Sequence, residues 1–390
     1  MKIGIVLPSV PAYSETFFVS KINGLQENGF QVVLFVNDYQ ENSKINCQII
    51  SAPKFSKNKL KNAFISIYYL FRSLFLKFKP VKKMYFLDKK DNLSFSDRIK
   101  NIIINSHILN HELDWLHFGF GTMAIYRENV AEAIGAKMAI SFRGFDHYVY
   151  PLKDKKCYEL VFSKKIKFHV LSEGMKKDLL SFGIEEKNIV KITPAIDENL
   201  FFSDLKFVDK PVFLTIARLH WIKGLDYIIE SLSILKAKGH NFEYRIIGEG
   251  IEKEKLQFLV HQLGLNDKVV FLGKLSPIQV KEELENASYY IQYSHQEGFC
   301  NAVLEAQSMG KICLVSDADG LIENVIDNET GFVVPKRNSE ILANKIILAL
   351  KLGTDAKEIL INNAKKRIAT NFSIEDQKIK FIDFYKNQFN

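Results

Sequence analysis

Short apolar runs alternate with longer amphipathic segments along nearly the whole sequence. This pattern is typical of strand–helix units whose strands pair in parallel. In the first half, the apolar runs predict strands at Ile3–Leu7, Gln31–Val36, Cys47–Ser51, Trp115–Phe118, Lys137–Ser141, Phe168–Leu171 and Ile189–Ile192. In the second half, they predict strands at Val212–Ala217, Phe242–Ile247, Lys268–Leu272, Tyr289–Gln292, Lys311–Val315 and Gly331–Val334. The amphipathic segments predict helices that include Glu15–Asn28, Ser96–Leu109, Glu173–Phe182, Leu225–Lys238, Glu252–Leu263, Pro277–Asn286, Ser339–Leu352 and Ile374–Gln388.

This alternation is interrupted once, between Thr193 and Pro211. A chain of 390 residues is too long for one ordinary hydrophobic core and suits two. We therefore predict an α/β protein with two doubly wound domains that face each other across a cleft, residues 1–200 and 201–372. The last amphipathic segment, residues 373–390, is predicted to pack back toward the first domain. Ligands of such sheets bind beyond the carboxyl ends of the strands.

The net charge of +8 comes from one segment, residues 54–83, which holds nine basic residues and no acidic one. Since the rest of the chain is close to neutral, general nucleic-acid binding is disfavoured. The same segment carries apolar residues at the spacing of one helix face: Leu60, Phe64, Ile67, Phe71, Leu74 and Phe78. Two interpretations remain open. The face packs on the core of the first domain, or it lies on an anionic membrane surface.

Other features exclude further classes of protein. The four cysteines are far apart and form no C-x-x-C pair, which indicates neither a zinc site nor a disulfide framework: Cys47, Cys157, Cys300 and Cys313. The opening Met1–Pro8 is too short for a signal peptide. The most apolar stretch, Ala63–Leu76, is interrupted by Arg72 and falls short of the ~18 residues of a spanning helix. We expect a reduced, cytosolic, non-spanning protein.

The most informative segment runs from Ser294 to Gly310. It follows a strand and enters a helix near Asn301, so Glu297 precedes the helix and Glu305 lies about one turn inside it. A helix N-terminus offers N–H groups and a positive dipole end to a phosphate. Carboxylates beside such a site favour a ligand that joins phosphate to vicinal hydroxyls, because carboxylates accept paired hydrogen bonds from diols. This combination indicates a nucleotide sugar. The alternative is a solvated helix start whose acids are favoured by the dipole.

A second element supplies positive charge and close backbone approach. Arg218 and Lys223 lie on the loop after the first strand of the second domain, where they can clamp a diphosphate. Gly248-Glu249-Gly250 lies between a strand and a helix and allows a ligand to approach the backbone, although turn glycines are a simpler interpretation.

These motifs together resemble the signature of glycosyltransferase family 4, whose members are retaining enzymes of the GT-B fold with two Rossmann-like domains. The resemblance rests on three sets of residues: Arg218 with Lys223-Gly224, Gly248-Glu249-Gly250, and Glu297-Gly298-Phe299 with Glu305-Ala306. Ser14-Glu15-Thr16-Phe17 resembles the N-terminal motif of exopolysaccharide and colanic-acid-type members, and residues 317–325 and 330–335 resemble the closing segment of the family.

The resemblance implies a role for each matching residue. Glu305 would hold the ribose hydroxyls, and Glu297 would hold the donor sugar near the reacting carbon. Arg218 and Lys223 would stabilise the departing nucleoside diphosphate in place of a metal, so no cofactor is expected. The remaining donor-binding positions are Gly298, Phe299 and Cys300, which would contribute backbone groups, Asn301 at the helix start, Gly248, and Lys274, which would lie near the base.

The first domain departs from the family at Arg143, which occupies the position of a histidine in a His-Gly motif. Arg143 could bind the diphosphate or an anionic acceptor with Asp146 orienting it, or the two could form a structural ion pair. His117, at a strand end, is either an acceptor contact or a capped strand end. Ser14, which can also cap the first helix, completes the acceptor-side set.

The sequence thus predicts a retaining, metal-independent hexosyltransferase of cell-surface polysaccharide biosynthesis. The resemblance implies a nucleotide-diphosphate sugar as its donor and, as its acceptor, a glycan linked to a polyprenyl diphosphate at the cytoplasmic face of the plasma membrane. The alternatives are another GT-B enzyme, such as a sugar phosphorylase or a sugar-nucleotide epimerase, and a non-catalytic membrane-associated nucleotide-sugar-binding subunit.

Overall fold

A computed structural model describes residues 1–11, 16–39, 45–197, 200–203 and 211–387. Its strands are β1 (Lys2–Ser9), β2 (Gln31–Asp38), β3 (Gln48–Ser51), β4 (Trp115–Phe118), β5 (Lys137–Ser141), β6 (Ile166–Val170), β7 (Ile189–Lys191), β8 (Val212–Ile216), β9 (Glu243–Ile247), β10 (Val269–Gly273), β11 (Tyr289–Gln292), β12 (Ile312–Ser316) and β13 (Phe332–Val334). Ser14 and Glu15 lie outside the described residues.

Helices separate most of these strands, as the alternating pattern predicts. They are α1 (Thr16–Glu27), α2 (Lys59–Leu76), α3 (Phe78–Lys90), α4 (Phe95–Ile104), α5 (Ser106–Leu109), α6 (Val130–Ile134), α7 (Glu159–Phe162), α8 (Glu173–Ser181), α9 (Leu225–Ala237), α10 (Lys253–Gln262), α11 (Pro277–Asn286), α12 (Asn301–Ser308), α13 (Asp319–Asn324), α14 (Ser339–Lys351), α15 (Thr354–Asn371) and α16 (Ile374–Lys386). Among the described residues, every helix is too short or too polar to cross a membrane.

The chain divides into two compact units. The first comprises residues 1–170, 175–192 and the described chain from 378 onward, and the second comprises residues 171–174 and 193–377. Within the described residues, each unit contains one sheet whose strands are all parallel, in the order β3-β2-β1-β4-β5-β6-β7 in the first unit and β10-β9-β8-β11-β12-β13 in the second. The predicted α/β class with two Rossmann-like sheets is confirmed.

The central strands of both sheets are buried because helices cover them. In the first unit, Ile3 and Ile5 of β1 have no exposed surface, and they share a core with Phe381 and Tyr385 of α16. The indole Nε1 of Trp115 donates to the Tyr385 carbonyl over 3.2 Å, which also attaches α16 to β4. The end of α16 is therefore part of the core of the first unit.

One predicted helix is interrupted. The sequence predicts a single helix at Ser96–Leu109, but the structure separates α4 from α5 at Asn105. The Asn105 side chain has no exposed surface and donates to the carbonyls of Asn101 and Tyr126, both over 2.9 Å. An asparagine that bonds nearby backbone groups competes with helix continuation, which explains the break.

The apolar face of residues 60–78 does not pack on the core, so the first of its two sequence interpretations is wrong. The predicted helix is interrupted at Lys77, which lies between the end of α2 and the start of α3. The exposed fractions of Leu60, Phe64 and Phe71 are 75%, 73% and 66%. The residue that α2 buries fully is instead Ser73, and the side that the helix turns toward the domain mixes polar residues with the partly buried Ile65 and Leu70.

Candidate active site

The predicted donor residues lie on loops that follow neighbouring strands of the second unit. Arg218 and Lys223 follow β8, Gly248 follows β9 and Glu297 follows β11. Strand β8 pairs with both β9 and β11. Because the strands are parallel, these loops leave the sheet at the same edge, where ligands of doubly wound sheets bind.

Two glycines allow the β8 and β9 loops to pack closely. Gly248 has a φ of +137°, and a Cβ built on it would lie 1.9 Å from the Ala217 carbonyl oxygen. A Cβ on Gly250 would lie 2.2 Å from the Leu219 carbonyl oxygen. The Leu219 N–H donates to the Glu249 carbonyl over 2.9 Å. These contacts favour the turn-glycine interpretation, in which Gly248 positions the Arg218 loop rather than binding the ligand itself.

Lys223 and Glu297 form an ion pair between the β8 and β11 loops. The Lys223 Nζ donates to Glu297 Oε2, and the side chains are 14% and 12% exposed. Ser294 Oγ donates to the same oxygen over 3.2 Å. Gly224 allows the two loops to approach closely enough for this pair. Its φ is +57°, and a Cβ built on it would lie only 2.3 Å from the Tyr293 carbonyl oxygen. Two oppositely charged groups predicted to touch one donor are therefore in contact.

The segment after Glu297 leads into the N-terminus of α12 and is braced by α13. The Cys300 N–H donates to Asn324 Oδ1 over 3.0 Å, and Asn324 Nδ2 donates to the Cys300 carbonyl over 3.1 Å. The Gly320 N–H donates to the Glu297 carbonyl over 3.0 Å. The Cys300 amide, predicted to contact the donor, is thus already bonded. Within the described chain, the amides of Gly298 and Phe299 make no hydrogen bond and remain for a ligand.

Asn324 is a functional residue that the motif reasoning missed. It lies in the 317–325 segment, which was recognised only as resembling the closing segment of the family. No local pattern indicates that Asn324 reaches back 24 residues to Cys300, because the contact depends on how α13 packs. The nearest available signal was a polar residue placed among apolar ones.

Glu305 lies on α12, one turn inside the helix, as predicted. Burial raises the pKa of its carboxyl to about 7. Within the described residues, no side chain or backbone group donates to this carboxylate. A desolvated carboxylate without a partner is costly unless a ligand supplies donors. The ribose hydroxyls proposed for this position would do so. Burial likewise raises the pKa of the Cys300 thiol to about 12, which disfavours a nucleophilic role.

The other predicted donor residues lie at the same edge of the sheet. Arg218 is exposed and makes no ion pair with the described residues. Lys274 is also exposed and follows β10, one residue beyond Gly273 with its φ of +70°. Asn301 begins α12. Both cations are thus positioned to reach a ligand from solvent.

An aromatic group beside the Lys223 turn was also missed. The rings of Trp221 and His295 stack with centroids 6.3 Å apart, and Tyr227 meets His295 edge-on at 5.4 Å. The Trp221 side chain is 46% exposed. Within the described chain, the buried Nδ1 of His295 has no hydrogen-bond partner. An exposed indole next to the predicted donor site offers a surface for a sugar ring.

In the first unit, Arg143 is held by aromatic rings. Its guanidinium carbon lies 3.9 Å from the Phe17 centroid and 4.7 Å from the Phe18 centroid, and Nε donates to the Gly119 carbonyl over 3.3 Å. Arg143 is partly exposed. The cation–π contacts and this hydrogen bond fix the guanidinium plane.

Asp146 contacts Arg143 through the backbone and, among the described side chains, forms no ion pair with its guanidinium, so the structural-ion-pair interpretation is wrong. Its carboxylate accepts the backbone N–H groups of Arg143, over 3.1 Å, and of Gly121, over 2.6 Å. Asp146 is almost fully buried, and burial raises the pKa of its carboxyl to about 6. The residue shapes the backbone that carries Arg143 and does not face a ligand.

His117 lies inside the first unit, as the capped-strand-end interpretation has it. It has no exposed surface. Its Nδ1 is 2.5 Å from Tyr385 Oη and 3.2 Å from Lys21 Nζ, and its Nε2 is 2.8 Å from Ser141 Oγ. Burial and the nearby Lys21 lower its pKa well below the usual value. A buried, fully bonded imidazole cannot touch an acceptor, so the acceptor-contact interpretation is wrong.

Among the described residues, no group of three or more His, Cys, Asp or Glu side chains could hold a metal ion. The second unit nevertheless assembles three cations (Arg218, Lys223 and Lys274), an ion-paired carboxylate, a partly buried carboxylate without a partner among the described residues, and a helix N-terminus at one edge of its sheet. These groups complement a diphosphate joined to hydroxyl-bearing rings.

Two Rossmann-like units are typical of the GT-B fold, and solved structures agree. A glycosyltransferase from Rickettsia africae ESF-5 has a TM-score of 0.73 at 21% identity and covers 99% of this chain and 97% of that chain. Anabaena Alr3699/HepE, solved in complex with UDP-glucose, has a TM-score of 0.74 at 14% identity and covers 99% of each chain. At these identities the likeness establishes the fold.

Sequence comparisons point the same way. Residues 196–367, most of the second unit, match the family described as glycosyl transferases group 1. The chain is 27% identical, over 65% of its length and 72% of the relative, to N,N'-diacetylbacillosaminyl-diphospho-undecaprenol alpha-1,3-N-acetylgalactosaminyltransferase of Campylobacter jejuni. It is 22% identical, over 96% of each chain, to the putative colanic acid biosynthesis glycosyltransferase WcaL of Escherichia coli K12. The resemblance drawn from the motifs is confirmed.

Proposed function

We propose that this protein is a retaining glycosyltransferase of cell-surface polysaccharide biosynthesis. It moves a hexose-type sugar from a nucleotide-diphosphate donor to a glycan acceptor linked to a polyprenyl diphosphate. The observation that carries the proposal is the Lys223–Glu297 ion pair, which precedes the N-terminus of α12 and the partly buried Glu305 carboxylate. Neighbouring positive charge, helix dipole and carboxylates suit a nucleotide sugar and few other ligands.

The positive groups serve the departing diphosphate. As the bond between the anomeric carbon and the phosphate oxygen breaks, negative charge develops on that oxygen. Lys223, Arg218 and the N–H groups at the start of α12 would stabilise this charge. Two cations beside the departing group can replace a divalent metal in this role, so we expect transfer without metal or other cofactor.

The carboxylates position the donor. Glu305, one turn inside α12, would accept hydrogen bonds from the ribose diol. Glu297, fixed by Lys223 and Ser294, would accept hydrogen bonds from the sugar hydroxyls. The acceptor hydroxyl attacks from the face that the diphosphate leaves, and its proton passes to the leaving phosphate oxygen. This route retains the anomeric configuration and requires no side-chain base.

The relatives support the acceptor class. The name of the Campylobacter jejuni relative specifies a diphospho-undecaprenol-linked substrate. The name of the Escherichia coli relative specifies colanic acid, a polysaccharide. We therefore propose a polyprenyl-linked glycan acceptor and a peripheral location at the cytoplasmic leaflet, with no nucleic-acid partner.

A transfer assay tests the proposal. The purified chain is incubated with a panel of nucleotide sugars and polyprenyl-diphosphate-linked glycans, in EDTA and in Mg²⁺, and the anomeric configuration of the product is read by NMR. We expect metal-independent transfer with retention. Lys223→Ala should reduce kcat by at least about a hundredfold, as loss of a transition-state donor does, whereas Lys253→Ala on α10 should not.

Three outcomes would overturn parts of this proposal. Inverted product would refute the same-face mechanism, and an active Lys223→Ala enzyme would refute the phosphate role of Lys223. Phosphorolysis, or turnover of the donor to a sugar product without any acceptor, would favour a phosphorylase or an epimerase instead.

A further inference from the structure

Helix α2 turns its most apolar side away from the protein. Six large side chains on this side are between 53% and 90% exposed, and we call them the α2 face: Leu60, Phe64, Ile67, Tyr68, Phe71 and Phe75. At 100° per residue these positions fall within about 100° of the helix circumference. An amphipathic helix in a globular protein normally buries such a stripe. Here the stripe has no cover within the described chain.

The opposite side of α2 packs on the protein and is of mixed polarity. Ser73 is fully buried, and its hydroxyl finds no hydrogen-bond partner among the described residues. Five residues that share that side are partly buried: Asn62, Ile65, Ser66, Tyr69 and Leu70. The chain therefore covers a mixed side of the helix while it exposes the side that carries three phenylalanines. This orientation costs stability in water unless an apolar phase receives the α2 face.

Positive charge borders the α2 face. On the helix circumference, Lys61 and Arg72 lie about 100–120° from Leu60 in one direction, and Lys59 lies about 100° away in the other. Six of the nine basic residues of segment 54–83 are exposed and make no ion pair with described residues: Lys57, Lys59, Lys61, Arg72, Lys79 and Lys82. Since this segment holds no acidic residue, a single sign of charge borders the apolar stripe.

Helix α3 continues the charged border. An open groove of about 460 Å³ runs along it, lined by Lys79, Lys82, Lys83, Phe86, Leu87 and Lys90. The methylene stems of the lysines line this groove together with the Phe86 ring, which is 53% exposed. The arrangement matches a phosphate headgroup whose acyl chains lie on the apolar side.

We propose that the α2 face inserts into the interface of an anionic lipid bilayer, while the lysines that border it and line the α3 groove bind headgroup phosphates. An 18-residue helix is about 27 Å long, and its one-sided stripe suits a helix that lies in the membrane plane. The purpose of this attachment rests on the proposed function, because it would bring the enzyme to a lipid-linked acceptor. The surface itself does not depend on that function.

Vesicle cosedimentation with the full chain tests the apolar part. Wild-type protein should bind phosphatidylcholine–phosphatidylglycerol vesicles. The triple variant Phe64→Ser, Phe71→Ser, Phe75→Ser should bind at least tenfold more weakly, since each exposed ring contributes substantial transfer free energy. The matched control replaces three comparably exposed apolar residues elsewhere, as Phe258→Ser, Ile359→Ser, Ile379→Ser, and should bind like wild type.

The charge contribution is tested separately. Binding should fall when phosphatidylglycerol is omitted and when salt is raised from 0.05 to 0.5 M, because headgroup attraction is screened. Replacing Lys59, Lys61 and Arg72 by Gln should weaken binding to anionic vesicles by about fivefold per residue. The control, Lys155, Lys177 and Lys351 to Gln on other surfaces, should change binding little. The wild-type salt and lipid dependence tests the proposal even if a variant fails to fold.

Specific outcomes would overturn the proposal. One is unchanged vesicle binding in the serine variant. Another is a stable dimer in the absence of lipid that the serine variant dissociates, which would make the α2 face an interface between two copies. A thermal shift caused by nucleotide sugars separates this proposal from the transferase proposal, because it should persist in every variant of the α2 face.

Discussion

Nucleotide-sugar affinity should depend on pH through one carboxyl group. Glu305 has no partner within the described residues, and burial raises its pKa to about 7. If the ionised carboxylate accepts the ribose hydroxyls, the donor binds only the fraction of protein in which Glu305 has lost its proton. Affinity should therefore rise with pH, and binding below pH 7 should release a proton.

The magnitude follows from the pKa. A group with a pKa of about 7 is about 91% protonated at pH 6 and about 9% protonated at pH 8. The apparent dissociation constant should consequently increase about tenfold from pH 8 to pH 6. His295 should contribute less than Glu305, because burial lowers the pKa of its imidazole and so disfavours its protonated form.

The assay is isothermal titration with a nucleotide sugar at pH 6, 7 and 8. A nucleotide sugar is preferred over a free nucleoside diphosphate, because its diphosphate is a diester and does not titrate in this range. Glu305→Gln should bind about 10–100-fold more weakly at pH 8, as loss of charged hydrogen bonds does, and should lose the pH dependence. The exposed Glu254→Gln on α10 is the matched control and should keep it.

Two results would refute this reasoning. If wild-type affinity is constant from pH 6 to pH 8, Glu305 either does not titrate in this range or does not bind in its ionised form. If Glu305→Gln keeps the wild-type pH dependence, another group is responsible and the ribose role of Glu305 is unsupported.

Three further variants test the architecture of the site. Gly248→Ala should lower the free energy of unfolding by more than about 2 kcal/mol in urea titration, because its Cβ would lie 1.9 Å from the Ala217 carbonyl; wild-type stability would show that the loop gives way. Asn324→Ala should cost about 1–3 kcal/mol and weaken donor binding, since it leaves the Cys300 N–H unpaired in the interior and the Cys300 carbonyl with only the Leu304 N–H, at 3.5 Å; intact donor affinity would mean that α13 does not brace the loop. For Asp146→Asn, the stability of the wild type relative to the variant should rise by up to about 3 kcal/mol as the pH falls from about 6 to 4, because over this range the folded state holds the Asp146 proton and the unfolded state does not, so lower pH favours the folded state; a constant difference would contradict the raised pKa.

The fold was largely predictable because periodicity reports burial. Strand β4 (Trp115–Phe118) is confirmed at both ends, as is helix α11 (Pro277–Asn286), since apolar runs and a capped proline start give local signals. The break at Asn105 was not predictable in the same way. Its side chain ends the helix by a contact with Tyr126, 21 residues away.

The candidate site was predictable where one segment carries it. The spacing of Glu297 and Glu305 implied a carboxylate before the helix and one within it, and the structure has both. The partners that come from distant segments were not predictable, as Asn324 illustrates. One interpretation of the sequence paired the Asp146 carboxylate with the Arg143 guanidinium. In the structure the buried carboxylate accepts hydrogen bonds from the Arg143 backbone N–H instead.

The outward direction of the α2 face shows a different limit. Periodicity identified the stripe, but it cannot say whether a stripe faces the protein or an external apolar phase. The structure decides between these directions. Ser73 is buried, whereas Phe71 and Phe75, on the opposite side of the helix, are exposed.

The central claim is that the second unit binds a nucleotide sugar. Thermal unfolding of the full chain in the presence of UDP-, GDP-, ADP- and TDP-sugars tests it most directly. At least one class should raise the melting temperature by a few degrees, since a ligand at a hundredfold excess over its dissociation constant stabilises the native state by about 2.7 kcal/mol. The shift should disappear in the Lys223→Ala, Glu305→Gln double variant. If no nucleotide sugar raises the melting temperature of the wild-type chain, the account of the second unit is contradicted.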